Sequence, residues 1–258
     1  MSTQTDAEVA IQAAEAGAAV VRAKYGVPLA RYDKSPTDFA TEADLEAERA
    51  ILDVLRAARP DDAVIGEEYG ADGQAARTWL VDPLCGTLNF AATTPHFSVN
   101  VALRSAGQTV AAAVSHPPSG EVYWADTDAF GILGRDRSAT STATSLVDIN
   151  ADGPLDRPFV GAQLAADPDL RATFSPRVES TTLALAWVAT GQRHAYVTDG
   201  HHEHSVHFAA GIALCVAAGV AITDFDGAPV HTGPGIVAAR DPEAHATLLK
   251  LVARHRTT

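Results

Sequence analysis

The sequence predicts an α/β layered architecture, and three observations predict it. Apolar strand-like runs alternate with helical patterns along most of the chain. The helical patterns carry helix-end signals, with Asp6 and Glu8 opening the first and Gly191 and Gly219 closing two later ones. The stretch Trp79-Leu-Val-Asp-Pro-Leu-Cys-Gly-Thr-Leu-Asn-Phe90 reads as an apolar strand that runs into Pro83 and then into a Gly86-Thr87 turn opening a new segment. Open α/β sheets place their ligands at such strand ends. Asp82, Cys85 and Thr87 therefore stand beside exposed backbone N–H groups.

The elements follow in order. Asp6 to Tyr25 has Ala, Val and Ile at helical spacing, ended by a Gly-Val-Pro loop, and Lys34 to Asp38 is a polar turn. A second helix starts at Glu42, with Leu45, Ile51, Leu52 and Leu55 on one face and acids on the other. Ala63 to Gly66 is a short strand delivering Glu67 and Glu68, and Asp72 to Ala76 is a loop. Beyond the Trp79–Phe90 stretch, Phe97 to Leu103 and Thr109 to Ser115 are strands, and Glu121 to Ala125 pairs with Gly131 to Leu133 as a hairpin. The Ser/Thr/Ala-rich Ser138 to Asp152 is the best candidate for an interdomain link, dividing residues 1–137 from residues 138–258. Phe159 to Gln163 reads as a strand, Thr181 to Thr190 as a helix, Ala195 to Val197 as a strand and Val206 to Ala218 as a helix. A last strand, turn and helix finish at Arg256.

The 258 residues suffice for one large domain or two small ones, and 47% hydrophobic with 20% charged content is ordinary for a soluble globular chain. A net charge of −13 argues against a non-specific nucleic-acid binder, yet allows a local pocket for a phosphorylated small molecule. Two distant cysteines make neither a disulfide scaffold nor a zinc motif. The first residues lack a basic region and carry Asp6, Glu8 and Glu15, and no apolar run reaches the ~20 residues of a membrane span. A cytoplasmic protein without membrane contact is the expectation.

Acidic residues recur at loop or strand ends: Asp38 and Asp44, Glu67 and Glu68, Asp82, and Asp224 with Asp226. Hard oxygen ligands followed by a Gly-Thr turn suit a Mg²⁺ site that handles phosphate, although taken singly such acids are usually caps and solvated turn residues.

Their order decides between these. Lys34-Ser-Pro-Thr-Asp-Phe-Ala-Thr-Glu-Ala-Asp44, Ile65-Gly-Glu-Glu68, Trp79 to Phe90, and Ala209-Ala-Gly211 through Asp224-Phe-Asp-Gly-Ala-Pro229 resemble the inositol monophosphatase family. The resemblance implies a layered αβαβα sandwich like that of inositol monophosphatase and fructose bisphosphatase, with Mg²⁺-dependent hydrolysis of small phosphate monoesters and a homodimer. By position it implies that Glu67, Asp82 and the Leu84 carbonyl bind the first metal. Thr87 would orient the attacking water, Asp44 would hold the Thr87 hydroxyl, and the Gly86 and Thr87 amides would face the phosphate.

The pattern departs in two related places. Cys85 stands where the family motif has its second Asp, and Val206-His207-Phe208 stands where it has Trp-Asp before Ala-Ala-Gly. In the family both lost aspartates ligate the second metal, so Cys85 and His207 are expected to be neighbours. Ala217-Ala-Gly-Val220 also replaces Glu-Ala-Gly-Gly, and the segment before His207 is about two residues longer than usual.

Three functions compete. The leading expectation is a metal-free enzyme for acyl or related group transfer on a small metabolite. Cys85 is its nucleophile, activated just before a helix N-terminus, with His207 as base and Asp82 as orienter. The Gly86 and Thr87 amides supply the oxyanion hole. The alternative is a residual phosphomonoesterase holding Mg²⁺ on Glu67 and Asp82, or a softer ion such as Zn²⁺ with Cys85 and His207. The third is a binding protein without turnover. Lys34 and His204 are candidates for reaching the substrate; Cys215 is expected in the core, and His201 and His202 in a solvated loop.

Overall fold

The computed structural model describes residues 4–135, 144–153, 159–202 and 205–256. The chain opens with α1 (Asp6–Lys24), the hairpin β1 (Arg31–Ser35) and β2 (Asp38–Thr41), α2 (Glu42–Ala58), β3 (Ala63–Gly66) and β4 (Gly70–Asp72). It continues through β5 (Arg77–Cys85), α3 (Thr87–Ala91), β6 (Ser98–Ser105), β7 (Gln108–His116), β8 (Glu121–Asp126) and β9 (Phe130–Leu133). The second half holds β10 (Leu146–Ile149), α4 (Val160–Ala166), α5 (Pro168–Thr173), β11 (Ser175–Val178), α6 (Leu183–Thr190) and β12 (Ala195–Thr198). It ends with α7 (Ala209–Ala217), β13 (Ala221–Thr223), β14 (Ile236–Ala239) and α8 (Pro242–His255).

Five layers result, and three apolar cores join them. A seven-stranded sheet runs β4-β3-β5-β6-β7-β8-β9, and a five-stranded sheet runs β11-β10-β12-β14-β13. On the outer face of the large sheet, Val9, Ala13 and Val21 of α1 and Ile51 and Leu55 of α2 pack on Trp79, Val99 and Val101. Between the sheets lie α6 and α7, whose Leu185, Trp187 and Leu214 meet Leu80 and Tyr123 on one side and Tyr196 and Ile236 on the other. These two helices are apolar around their whole circumference, as a helix covered on both sides must be. The outer face of the small sheet, with Val147, Val197 and Val237, is covered by Leu164, Leu170, Leu248 and Val252 of α4, α5 and α8. Side chains alternate across each strand, so one sheet serves two cores. This is the αβαβα sandwich.

Three local expectations are corrected. Phe159 to Gln163 begins α4, because Val160, Gly161 and Leu164 bury one helical face where alternation would have buried two strand faces. The expected link at 138–152 contains β10, a largely buried strand between β11 and β12; residues 138–143 lie outside those described. The inner face of α2 is not purely apolar, since Asp44 and Glu48 are buried on it. Cys215 is buried in α7, as expected.

Two local features aim the large sheet's central strand at a site. The β5–β6 ladder runs regularly to Asp82 opposite Asn100, then slips by one residue before Cys85 meets Ser98. Pro83 falls in this slip; it has no N–H to donate, and a bulge is where a sheet tolerates that. The slip takes the Leu84 carbonyl out of the ladder and lets the Leu84 amide turn back to the Asp82 carboxylate. The second feature is Gly86 at φ +99°, where a Cβ would lie 2.8 Å from the His96 carbonyl oxygen, so only glycine makes this turn into α3 without strain.

Candidate active site

A cleft of about 550 Å³ opens where β5, α3, α6 and the loop before α7 converge. Its walls include Glu67, Cys85, Gly86, Thr87, Thr182 and His207. The sequence predicts all of these except Thr182.

Each is placed by a local cause. Thr41 caps α2 in a capping box: Asp44 Oδ2 accepts from the Thr41 amide at 2.7 Å and from its hydroxyl at 2.6 Å. That cap turns Asp44 Oδ1 towards the cleft, where it lies 3.0 Å from the Thr87 hydroxyl. Thr87 Oγ1 is also 3.0 Å from the Leu84 carbonyl. Burial pushes the Asp44 carboxyl up to about 6, against the pull of the Thr41 and Thr87 hydrogen bonds.

Glu67 leaves β3 on a turn fixed from below by Glu48, whose buried carboxylate accepts the Glu68 amide at 2.8 Å and the Tyr69 amide at 3.0 Å. Lys34 bonds Glu67 Oε1 at 3.0 Å and Glu68 Oε1 at 2.7 Å. Burial, and then the Asp82 charge, raise the Glu67 carboxyl above the usual range. Asp82 is fully buried, held by the Leu84 amide at 3.1 Å and faced by His207 Nδ1 at 2.8 Å. His207 Nδ1 is also 3.8 Å from Glu67 Oε2. Burial opposes the charged ring, but the Asp82 hydrogen bond and the two carboxylate charges outweigh it and raise the imidazole above its ordinary value.

Cys85 departs from the expected environment. Its thiol bonds Thr182, with Sγ 3.1 Å from the hydroxyl and accepting the Thr182 amide at 3.3 Å. Burial, and then the Asp82 charge, push the thiol upward, the opposite of activation. The following helix, α3, is five residues long. Its terminus does not overcome the nearby carboxylates. Cys85 and His207 do meet through a third residue, because the Thr182 hydroxyl donates to the His207 carbonyl at 2.5 Å. The imidazole itself turns to Asp82.

The remaining candidates divide. Gly86, Thr87 and Asp38 line the cleft, while His204 lies outside the described residues. His201 is exposed on the wall, as the solvated reading has it, but His202 is buried with Nε2 2.9 Å from the Asp199 carbonyl. Asp224 serves its own turn, accepting the Asp226 and Ala228 amides at 2.9 Å each, and Asp226 pairs with Arg256. Thr182, Glu48 and Asn100 were missed. Asn100 was findable as a polar residue inside an apolar strand; its Nδ2 reaches the His207 carbonyl at 3.3 Å.

Glu67, Asp82 and His207 each offer a ligand atom, all within 4.8 Å of one another, which makes the only such metal-capable group among the described residues. Residues 2–257 match the sequence model of the Inositol monophosphatase family. The chain belongs to this family. It is 33% identical to an inositol-1-monophosphatase of Caulobacter vibrioides, over 75% of this chain and 78% of that one. It is 31% identical to the Nus factor SuhB of Escherichia coli, over 93% of each. Among solved structures it resembles an IMPase from Thermotoga maritima, with TM-score 0.81 and 22% identity over 96% of both chains. It also resembles the extragenic suppressor protein suhB from Bartonella henselae, with TM-score 0.80 and 26% identity over 95% and 96%.

These relationships correct the leading expectation. A family of phosphatases, with relatives named for inositol-1-phosphate hydrolysis, replaces the thiol group transferase, and the raised Cys85 thiol supplies the physical reason. The metal-free expectation falls with it. The expectation of an enzyme stands, on the phosphatase family. No described helix is long and apolar enough to cross a membrane.

Proposed function

We propose that the chain is a divalent-metal-dependent phosphomonoesterase acting on a small phosphorylated polyol such as a cyclitol or sugar phosphate. The observation that carries this reading is the convergence on one cleft of the Glu67–Asp82–His207 group and the Thr87–Asp44 pair. The donor set fits a divalent ion: two carboxylates lie close enough that the Asp82 charge raises Glu67, a repulsion that a cation between them relieves. Glu67, Asp82 and His207 would hold that ion. Bound there, it would supply Lewis-acid polarisation of the phosphoryl group and a more acidic water.

The chain's own groups do the rest. The Thr87 hydroxyl, donating to Asp44 at 3.0 Å, leaves its oxygen lone pair to accept from the attacking water and fix its direction. The Gly86 turn leaves the first amides of α3 without side-chain partners, so they would be available to a phosphate. Lys34 bridges Glu67 and Glu68 and offsets one of their charges, which weakens the acidic cluster's repulsion of a phosphate dianion. The far wall, with Asn150, Asp152, Ser180 and Ser205, offers donors and acceptors suited to a hydroxylated ring.

The test is phosphate release from a panel of cyclitol and sugar monophosphates by the chelated protein, before and after adding Mg²⁺, Mn²⁺ or Zn²⁺. Divalent-dependent release that fails in Glu67→Gln supports the reading. Release unaffected by chelation, or none from any member of the panel with any of the three ions, overturns it.

A further inference from the structure

We propose that His207 converts this centre into a single-ion site that selects a borderline transition-metal dication, such as Zn²⁺ or Co²⁺, over Mg²⁺. The proposal rests on the phosphatase reading for what the ion is used for, but not for its binding. Three ligand atoms come from three separate places in the fold: the turn after β3, the bulge in β5 and the loop before α7. Their spacing suits one ion. Bonds of ~2.0–2.2 Å put neighbouring ligand atoms ~3–4 Å apart. Here His207 Nδ1 stands 3.8 Å from Glu67 Oε2, within that range, and 2.8 Å from Asp82 Oδ2, a hydrogen bond whose proton the ion would replace.

Ligand chemistry then sets the preference. Mg²⁺ favours oxygen donors and sheds its waters reluctantly, whereas an imidazole nitrogen suits zinc and its neighbours in the first transition row. The thiol, the softest group nearby, does not join the set because its bonds go to Thr182. The three ligands are also held from behind. Glu67 is split between partners, with Oε1 taking Lys34 and leaving Oε2 towards His207. Asp82 is fixed by the Leu84 amide, and the His207 backbone is held at its carbonyl by Thr182 and Asn100. Supports of this kind preserve ligand geometry and raise affinity. Glu67 and His207 both line the cleft, so an ion they hold is open to a substrate.

Equilibrium dialysis of the chelated protein against equal concentrations of Mg²⁺, Mn²⁺ and Zn²⁺, followed by elemental analysis, tests the preference. The absorption spectrum of a Co²⁺ titration tests the ligands. The expected result is one transition-metal ion per chain with Mg²⁺ largely excluded, and Co²⁺ bands that change in His207→Asp. That variant should lose at least ~10-fold in Zn²⁺ affinity while gaining Mg²⁺ affinity. His207→Asn, read beside circular dichroism, separates ligand loss from misfolding. Equal uptake of Mg²⁺ and Zn²⁺, or selectivity unchanged in His207→Asp, overturns the proposal. So does Zn²⁺ binding that survives Asp82→Asn but disappears in His201→Ala. Selective Zn²⁺ binding without hydrolysis of any phosphomonoester sinks the phosphatase reading and leaves this proposal standing. Hydrolysis supported equally by Mg²⁺ in the parent and in His207→Asp does the reverse.

Discussion

Thr182 ties Cys85 to His207: Cys85 Sγ lies 3.1 Å from the Thr182 hydroxyl oxygen, and that hydroxyl donates its proton to the His207 carbonyl at 2.5 Å. One hydroxyl carries one proton. With that proton committed to the carbonyl, the S–H must donate at the sulfur–oxygen contact. The fold therefore holds the neutral thiol.

The first prediction follows from that proton. Cys85→Ser keeps the same donor and should keep kcat within about threefold, while Cys85→Ala should cost ~1 kcal/mol of stability through the lost hydrogen bonds and retain turnover. Native-state alkylation with iodoacetamide at neutral pH should be at least ~10-fold slower at Cys85 than at a free thiol, because only the thiolate reacts. Rapid, activity-abolishing labelling of Cys85 would count against this arrangement.

Restoring both family aspartates is the second prediction. Cys85→Asp places a carboxylate where the Thr182 amide already donates at 3.3 Å, so the replacement finds a partner. Combined with His207→Asp it makes an all-oxygen cluster with Glu67 and Asp82, and Mg²⁺-supported phosphate release should rise ~10-fold or more. Without a cation, four neighbouring acids repel one another. The double variant should therefore melt several degrees lower in EDTA and recover with Mg²⁺. A melting temperature indifferent to Mg²⁺ would rule out the restored site.

The third prediction concerns pH. Asp44 titrates at about 6 because burial opposes its charge. It accepts the Thr87 proton as a carboxylate, so activity should fall as pH drops through about 6 and reach its plateau above it. Asp44→Asn should lower kcat and abolish this acid limb; Thr87→Ala should cost ~100-fold or more in kcat, with partial rescue by Thr87→Ser. Stability moves the other way. The folded value lies above the unfolded one near 3.8, so ionised Asp44 costs stability increasingly as pH rises from that value through about 6. Urea titrations of the parent and Asp44→Asn from pH 4 to 7 would show it.

Gly86 carries the fourth. Gly86→Ala must hold φ +99° and bring its Cβ to 2.8 Å from the His96 carbonyl. The backbone conformation alone costs ~1–2 kcal/mol, and relief requires moving the start of α3. A loss of stability with a larger loss of phosphate release is expected. A variant that equals the parent in both would show that the turn is not under this constraint.

What could be read from the chain was whatever depends on local order. The strand–Pro–Gly-Thr run locates the cleft, and the ordered acidic motifs bring Glu67 to Asp82 and Asp44 to Thr87, while the Thr41–Asp44 cap shows only in the structure. What could not be read depends on distant neighbours. Sequence shows the helix start after Cys85 but not the buried Asp82 charge beside it, so it predicts an activated thiol where the fold raises one. Thr182 is 97 residues from Cys85 and looks like any helix-opening threonine until the layers close. Phe159 to Gln163 reads as a strand but opens α4, because a short apolar run fits either period.

Glu48 supplies the last prediction, and it too was hidden, since an acid on a charged helix looks solvent-facing. It is fully buried, its carboxyl raised by burial, and its two oxygens take the Glu68 and Tyr69 amides. Those two bonds shape the turn that points Glu67 at Asp82 and His207, making Glu48 a positioning residue. Glu48→Gln keeps one accepting oxygen and sets an amide donor against the other N–H, which should cost ~1–3 kcal/mol. Metal affinity should fall with stability, because the Glu67 oxygens lose their fixed direction, while the acid limb set by Asp44 stays near pH 6. A chemical denaturation curve, a metal titration and a pH profile on one variant check all three. Lost stability with unchanged metal affinity would mean that Lys34, bonded to Glu67 at 3.0 Å, is enough to aim it.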